Sequence, residues 1–385
     1  MQDQNRYILT GFSLVEGSDA QAQPRPEAIA IAGDRIVAVG DRAQMPAFEQ
    51  CIDLQGKILA PGFIDLQLNG CGGVQLNNDI ATRTLDVMHQ TNLRFGCTSF
   101  LPTLITSSDD DIRDAVALVQ DYRQSHPARV PGLHLEGPFL NMSRKGIHDR
   151  QWVREPSSDI IRFLCDHADT IAMVTLAPEI CGNDVIRQLS EAGIVVALGH
   201  TNATCAEAKA TEQAGARFAT HLHNAMSPVT GREAGVVGAV LDSHLMGAGI
   251  IADGHHVCWE NLRIAHRLMQ DRLVLVTDAT AAAGSDIPEF EFGGQTVYQK
   301  DGLCTNSDGT LGGSALTMIE AVVNSINHGI EPDAAFRMAT VNAARAIHVE
   351  DRMGSVSEGL YANLVILDKD FSVQGTVSAG AIQRI

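Results

Sequence analysis

The stretch of sequence that decides the fold is VPGLHLEGPFLNMSRKGIH, residues 130–148. It begins as a short apolar segment of β type, which carries the carboxylate of Glu136 to its end. Gly137-Pro138 then stops the strand and opens a loop. In barrels built from eight β/α units, active sites are assembled at the carboxyl ends of the strands. The stretch therefore predicts a barrel strand that delivers a functional carboxylate to such a site.

Three other segments repeat the pattern of an apolar run that ends in a polar side chain. They end at His200, at His221 and at Asp278. A lone histidine is usually an ordinary hydrogen-bonded residue, but three groups at equivalent strand ends favour a metal site. One carboxylate and two imidazoles suit a catalytic divalent ion with a position left for water. Asp278 beside such an ion is suited to general base and acid catalysis, and its alternative role is a helix N-cap.

Two further histidines share a strand face with the predicted ligands. His134 lies two residues before Glu136, and His223 lies two residues after His221. Because strand side chains alternate, each pair points to the same side. His134 is either a ligand or a residue of the barrel interior, and we favour a supporting position beneath the ligand. No role is assigned to His223.

The middle of the chain alternates apolar runs with amphipathic segments, which is typical of a parallel sheet built from β/α units. Segments that begin at Asp110, Thr317 and Asp333 are predicted helices. Eight runs are predicted strands, the number that closes a barrel. The predicted strands are 62–69, 97–104, 131–136, 170–177, 193–199, 217–222, 247–252 and 272–278.

Short β-like pieces occupy both ends of the chain. Gly33-Asp34 separates two apolar runs in the manner of a hairpin turn, and the segment from Gly359 onward is again β-like. We therefore predict an α/β fold with two domains. Residues 1–58 and 350–385 form a small β-sandwich domain, and residues 59–349 form a metal-dependent (β/α)8 TIM-type barrel.

The charge balance restricts the partners of the chain. Its 385 residues contain 28 basic and 46 acidic side chains, which gives a net charge of −18. This balance argues against nonspecific binding to nucleic acid or to an anionic membrane. An anionic small substrate needs positive groups placed locally, and the loop that contains Arg144-Lys145 is one candidate.

The cysteines and the N-terminal residues indicate a compartment. Eight cysteines are dispersed along the chain without a C-x-x-C pair, which favours reduced thiols over disulfides. The first six residues are polar and lack the apolar core of a signal peptide, and no apolar run is long enough to span a membrane. We expect a soluble cytoplasmic protein.

Four phrases of the sequence resemble one family of enzymes. They are PGFIDLQLNGCGG at 61–73, LHLEGPF at 133–139, THLHNAM at 220–226 and VTDAT at 276–280. Together they are similar to the N-acetylglucosamine-6-phosphate deacetylase family of the amidohydrolase superfamily. The similarity continues through 231–233, 251–256, 306–314 and 362–364, and so covers nearly the whole chain.

The resemblance implies a role for each matching residue. Glu136, His200 and His221 hold the metal, Asp278 is the acid/base, and His148 polarises the acetamide carbonyl. The implied substrate contacts are Ile147, His148, Asn224, Ala225, Arg232, Asp253, Gly254, His255, His256, Leu311, Gly312 and Gly313.

The phosphate of the implied substrate is assigned to two of these residues. His256 and Arg232 meet it, with Arg232 reaching across from a neighbouring subunit of a homodimer or dimer of dimers. An arginine fork suits a phosphate. Without the resemblance, a surface ion pair of Arg232 with Glu233 or another acid is an equally good interpretation.

The sequence departs from the wider superfamily at two places. Gln67 and Asn69 stand where many members carry His-x-His, and residues 170–178 contain no lysine that could bridge two metals. Both departures favour one divalent ion per subunit. Zinc is our prediction, although iron, cobalt and manganese also accept such ligands.

The implied reaction is hydrolysis of N-acetyl-D-glucosamine 6-phosphate to D-glucosamine 6-phosphate and acetate, in amino-sugar catabolism and recycling. Two alternatives within the superfamily are a cyclic-amide hydrolase and a galactosamine-6-phosphate deacetylase. An alternative of another class is a catalytically inactive barrel that acts as a scaffold. Retention of three ligands and Asp278 argues against that scaffold.

Overall fold

In the part of the chain that the structure describes, the strands form four sheets of seven, eight, three and two strands. The structure is a computed structural model that describes residues 5–15 and 26–384. The strands, in chain order, are β1 Arg6–Leu14, β2 Ala28–Ala32, β3 Arg35–Gly40, β4 Gln50–Pro61, β5 Phe63–Leu68, β6 Gly70–Cys71, β7 Val74–Gln75, β8 Cys97–Ile105, β9 Leu133–Glu136, β10 Ile171–Leu176, β11 Val195–Leu198, β12 Phe218–Ala219, β13 Gly247–Ile250, β14 Leu273–Leu275, β15 Glu289–Phe292, β16 Gln295–Lys300, β17 Leu303–Thr305, β18 Leu364–Leu367, β19 Val373–Ser378 and β20 Ala381–Arg384.

The helices follow the amphipathic segments of the sequence. Helix α2, Asp109–Ser125, begins where Ser108 and Asp111 cap each other's backbone N–H groups. The acidic residues in its first turn interact favourably with the positive end of the helix dipole. In the described ranges no helix is long and apolar enough to cross a membrane. The helices are α1 Thr82–Leu93, α2 Asp109–Ser125, α3 Ser158–Asp166, α4 Pro178–Glu191, α5 Cys205–Gln213, α6 Gly235–Asp242, α7 Trp259–Met269, α8 Met318–Asn327, α9 Pro332–Ala339 and α10 Val341–Ala346.

The eight-stranded sheet is a parallel barrel. Its order is β14-β13-β12-β11-β10-β9-β8-β5, so strands that follow one another in the barrel region are neighbours in space. Backbone hydrogen bonds just beyond the last strand close the ring. Asp278 N–H donates to the Gln67 carbonyl at 3.0 Å, and Asn69 N–H donates to the Ala279 carbonyl at 2.9 Å. The predicted (β/α)8 barrel is confirmed.

Each of the eight predicted barrel strands overlaps a strand of the structure, but several of the observed strands are shorter than predicted. The clearest case is β12, which has only two residues where the sequence predicts six. His221 and His223 have positive φ angles of 32° and 82°, so the chain turns immediately after the strand. The segment after β12 therefore forms a turn and not a strand, and His221 and His223 lie in this turn at the carboxyl end of β12.

The seven-stranded sheet joins the two ends of the chain. Its order is β20-β19-β18-β4-β1-β2-β3, and the predicted hairpin of β2 and β3 is present with Gly33 at φ 63°. Leu9, Ile31 and Leu364 belong to a buried apolar cluster of this sheet, separate from the barrel core. β4 crosses position 58 and leads directly into β5. The division at 58/59 and 349/350 stays a prediction.

A three-stranded antiparallel sheet, β15 to β17, lies between the last barrel strand and α8. The turn between β15 and β16 is Gly293-Gly294, and a Cβ at Gly293 would lie 2.2 Å from the Ile147 carbonyl oxygen. Phe292 and Val297 pack in one apolar cluster with Ile147. This small sheet therefore supports the loop that follows Glu136.

Candidate active site

The three predicted metal ligands come together at the carboxyl ends of the barrel strands. Glu136 is the last residue of β9, and His200 and His221 follow β11 and β12. The Nε2 atoms of His200 and His221 lie 3.1 and 3.0 Å from Glu136 Oε1, and 3.1 Å from each other. All three side chains are buried, Glu136 with 2% of its surface exposed. Residues 64 and 85 positions apart in sequence thus share one point.

The donor chemistry of this cluster fits a divalent cation. His200 Nδ1 lies 2.8 Å from the Arg144 carbonyl, which only accepts, so a neutral His200 presents a lone pair at Nε2. Burial raises the pKa of Glu136, but the close approach of the His200 and His221 side chains outweighs burial and holds this pKa well below its usual value. A carboxylate and imidazole lone pairs that face one another at about 3 Å need protons or a cation between them.

A fourth side chain lies at the edge of the cluster. Ligand atoms of Glu136, His148 and His200 all lie within 4.8 Å of one another, so His148 also belongs to a group that could hold a metal. The ring of His148 is 4.4 Å from that of His200, and its Nδ1 is 2.8 Å from Thr106 Oγ1. The Nε2 atom of His221 also lies within 4.8 Å of ligand atoms of Glu136 and His200. His221 as the third ligand therefore stays a prediction, supported by its distances of 3.0 Å to Glu136 Oε1 and 3.1 Å to His200 Nε2.

Asp278 lies beside the cluster, just after β14. Its Oδ1 accepts hydrogen bonds from Asn69 Nδ2 at 2.7 Å and from Gln67 Nε2 at 3.1 Å. Burial, and then the charge of Glu136, raise the pKa of Asp278 to about 6. The alternative role of Asp278 as a helix N-cap is wrong, because in the described chain the next helix begins only at Met318.

A cavity of about 410 Å³ opens at this cluster. Most of the predicted substrate contacts line it, together with residues that the sequence did not single out, such as Phe292 and Thr310. The predicted contacts that line the cavity are Ile147, His148, Asn224, Ala225, His256, Leu311 and Gly313.

The other predicted contacts near the cavity do not line it, and their packing shows what they do in the structure. Asp253 Oδ2 lies 2.6 Å from His256 Nδ1, and its other oxygen accepts the backbone N–H groups of His255 and His256. Gly254 has φ 78°, and a Cβ there would lie 2.6 Å from the Trp259 ring. A Cβ at Gly312 would lie 2.9 Å from Val297. None of Asp253, Gly254, His255 and Gly312 lines the cavity described here.

Arg232 is exposed and lies outside the cavity of its own chain. The alternative interpretation, a surface ion pair with Glu233 or another acid, is wrong for the described residues, among which Arg232 has no acidic partner. Glu233 instead accepts the backbone N–H groups of Cys205 and Gly235, at 2.9 and 2.8 Å. The contribution of Arg232 to a neighbouring subunit stays a prediction.

Arg144 and Lys145, the two basic residues of the loop after Glu136, make different contacts. Arg144 lines the cavity, and its Nε donates to Asn202. Lys145 Nζ donates to the carbonyls of Gly146 and His148, at 3.1 and 3.0 Å, and so holds the loop. The sequence identified this loop as basic, but only the structure distinguishes the two side chains.

His134 and His223 are not part of the cluster. The ring nitrogens of His134 lie 3.1 Å from Thr103 Oγ1 and 2.8 Å from Thr175 Oγ1, inside the barrel. Both nitrogens are therefore occupied, which agrees with the supporting position that we favour. His223 is half-buried and does not line the cavity.

The fold and the strand-end cluster define a class of protein, the barrel hydrolases with a histidine and carboxylate metal site. The sequence matches the amidohydrolase family over residues 58–382. It is 45% identical to the N-acetylglucosamine-6-phosphate deacetylase of Haemophilus influenzae, over 92% of this chain and 94% of that protein. The chain belongs to the amidohydrolase family and, within it, to the N-acetylglucosamine-6-phosphate deacetylases.

Two further relatives support and qualify this assignment. The crystal structure of N-acetylglucosamine-6-phosphate deacetylase from Pasteurella multocida has a TM-score of 0.94 and 46% identity, covering 99% of this chain and 100% of that one. The N-acetylgalactosamine-6-phosphate deacetylase of Shewanella sp. (strain ANA-3) is 35% identical, over 84% of this chain and 82% of that protein. The sugar epimer therefore needs a direct test.

Proposed function

We propose that the chain hydrolyses the acetamide of N-acetyl-D-glucosamine 6-phosphate to D-glucosamine 6-phosphate and acetate, in amino-sugar catabolism and recycling. The observation that carries this proposal is the convergence of Glu136, His200 and His221 beside Asp278, at the base of one cavity. The names of the relatives supply the substrate.

The proposed cofactor is one divalent ion, zinc, held by Glu136, His200 and His221. When bound, such an ion acts as a Lewis acid that makes water a stronger nucleophile near neutral pH. Gln67 and Asn69, which replace the usual His-x-His, direct N–H groups toward the carboxylates. These donors are unfavourable for a second cation, which supports a single ion per subunit.

Asp278 is the proposed general base and acid. Its Oδ1 is held by two amide groups, and no described residue donates to Oδ2. Oδ2 is therefore able to accept a proton from the attacking water and return it to the departing amine. Burial lowers the pKa of His148 well below its usual value, so a neutral ring donates one N–H to the acetyl oxygen.

His256 and Arg232 are the proposed phosphate contacts. His256 lines the cavity, and because Asp253 accepts from its Nδ1, Nε2 remains for the substrate. Arg232 lies exposed outside its own cavity, which fits a side chain that reaches the cavity of a second subunit. We therefore propose a homodimer or a dimer of dimers with shared sites.

A cytoplasmic location is part of the proposal. All eight cysteines lie in the described residues and none forms a disulfide. Free thiols, three of them buried, fit a reducing compartment. The acidic net charge remains the argument against nucleic-acid and membrane partners.

Removal of the metal is expected to abolish deacetylation of N-acetylglucosamine 6-phosphate, because the cation supplies the Lewis acid. Chelation should lower turnover by at least about 100-fold, because loss of a single hydrogen-bond partner of a metal ligand already lowers activity by up to about that factor. The measurement is acetate release before chelation, after it, and after addition of zinc, iron, cobalt or manganese singly.

The same assay separates the alternatives. N-acetylgalactosamine 6-phosphate and a cyclic amide are tested beside the glucosamine substrate, which should have the highest kcat/KM. A higher value for either competitor would replace the proposed substrate. Full activity in a preparation shown to be free of metal would contradict the proposed chemistry, and no activity with any loaded metal would favour the scaffold alternative.

The shared phosphate site predicts that two impaired variants restore each other when activity is measured at substrate concentrations well below the raised KM. Arg232→Ala should raise KM by about 10- to 100-fold, the loss expected for a charged hydrogen bond. Co-expression with Asp278→Asn should recover about one quarter of wild-type activity, because random dimers contain one intact site in half of the molecules. Arg150→Ala, an exposed arginine outside the cavity, is the control. Mixed dimers without recovered activity would place Arg232 in its own subunit's site or outside both.

A further inference from the structure

One amide group contacts both carboxylates of the candidate site. Gln67, near the end of β5, is buried, and its Nε2 lies 3.0 Å from Glu136 Oε2 and 3.1 Å from Asp278 Oδ1. Because ionised carboxylate oxygens only accept hydrogen bonds, the atom between them must be the amide nitrogen and not the amide oxygen. Both N–H groups of Gln67 are therefore used, one on each carboxylate.

Asn69 adds a second donor to the same oxygen of Asp278. Its Nδ2 lies 2.7 Å from Asp278 Oδ1, so this oxygen accepts from two amides, and Oδ2 has no donor among the described residues. The two carboxylate oxygens of Glu136 also have different partners. Its Oε2 accepts from Gln67, and its Oε1 faces the Nε2 atoms of His200 and His221. One oxygen of each carboxylate is held by amides, and the other is left for chemistry.

Gln67 is itself fixed between the first and the last strand of the barrel. Its N–H donates to Asp65 Oδ1 at 3.1 Å, and its carbonyl accepts from Asp278 N–H at 3.0 Å. Asp65 Oδ1 also accepts from Thr277 N–H at 3.3 Å. The side chain that joins the two carboxylates therefore projects from backbone that is bonded on both sides, at the point where the barrel closes.

We propose that Gln67 and Asn69 are positioning residues for hydrolysis, which orient Glu136 and Asp278 so that Oε1 faces the cation and Oδ2 faces the water. The N–H groups also compensate the repulsion between two buried negative charges that lie on either side of Gln67. This inference rests on the proposed function, because it takes Asp278 as the general base. Neither amide side chain lines the cavity, so neither is expected to contact substrate.

The test compares Gln67→Met with Asn69→Leu, which remove the donors at nearly constant volume. Gln67→Met should lower kcat by about 100-fold and zinc affinity by about 10-fold or more, as observed when partners of metal ligands are removed. Asn69→Leu should lower kcat by at least about 10-fold with zinc affinity unchanged, because the Asn69 side chain donates to Asp278 and not to Glu136. KM should stay within about 3-fold in both, since substrate binding is not affected directly.

Gln75→Met is the matched control. Gln75 is a buried glutamine that accepts from Ala281 N–H at 3.3 Å and contacts neither carboxylate, so kcat and zinc affinity should remain those of the wild type. Melting temperatures of all variants identify any that fail to fold, and Asn69→Leu then remains a separate test. Wild-type kcat and zinc affinity in Gln67→Met, or equal losses in Gln75→Met, would overturn the proposal.

Different measurements test the positioning role of Gln67 and the general-base role of Asp278. Near-normal turnover of Asp278→Asn would refute the assignment of Asp278 as the general base. The zinc affinity of Gln67→Met, in contrast, reports on the orientation of Glu136 independently of turnover. A reduced zinc affinity with an active Asp278→Asn would therefore retain the role of Gln67 toward the metal ligand and refute its role toward the base.

Discussion

Asp278→Asn is expected to lower kcat by about 1,000-fold, or about 4 kcal/mol of activation free energy, while zinc content stays at one ion per chain. The amide cannot accept a proton from water, but it is nearly the same size as the carboxylate, so the cavity is preserved. Asp278 is not among the proposed ligands, which is why metal content should not follow activity. The measurements are steady-state kinetics and metal analysis of the same samples.

The pH dependence of the rate gives an independent check on the same residue. Burial and the charge of Glu136 raise the pKa of Asp278 to about 6 without a cation, and a bound cation lowers it. Since only the ionised carboxylate accepts a proton, kcat/KM should fall as pH decreases through the pKa of Asp278, which the bound cation places below about 6. Asp271→Asn, an exposed residue paired with Arg337, is the control and should have wild-type kinetics. Turnover of Asp278→Asn within a few-fold of wild type would refute the assignment.

Glu136→Gln is expected to lower zinc affinity by more than about 100-fold, beyond the loss caused by removing partners of ligands. The carboxylate is the only negative charge among the three proposed ligands, and two imidazole Nε2 atoms lie within 3.1 Å of its Oε1. A neutral amide keeps the shape but loses the charge that attracts the cation. Competition with a chromophoric chelator measures the affinity, and activity should fall in parallel at limiting zinc.

The matched control for this variant is Glu260→Gln, which changes an exposed carboxylate paired with Arg263 on α7. Its zinc affinity should equal that of the wild type. If Glu136→Gln bound zinc as tightly as the control, then Glu136 would not be a ligand. A site formed by His148, His200 and another group would have to be considered in its place.

The proposed ligands were predictable because each ends an apolar run. The sequence alone places Glu136, His200, His221 and Asp278 at strand ends, and parallel barrel strands bring their carboxyl ends to one rim. The helix at Asp109 was predictable for a local reason, its acidic first turn. Features that depend on periodicity and on residues near in sequence were therefore well predicted.

Features that depend on approach between distant segments were not. Gln67 was recognised only as the absence of a histidine, since its contacts with Glu136 and Asp278 arise from closure of the barrel. The length of β12 was overestimated, because the turn at His221 has no proline or glycine to mark it. The sheet that places Phe292 in the cavity was missed, although Gly293-Gly294 is a recognisable hairpin turn.

The location of a bound cation decides whether Glu136, His200 and His221 form the metal site. Crystals of the zinc-loaded protein, measured on both sides of the zinc absorption edge, should give one anomalous peak per chain, within about 2.0–2.3 Å of Glu136 Oε1 and the Nε2 atoms of His200 and His221. Asp278 should lie beside the ion without contacting it through Oδ1. A peak elsewhere, or a second peak between Gln67 and Asp278, would contradict the account.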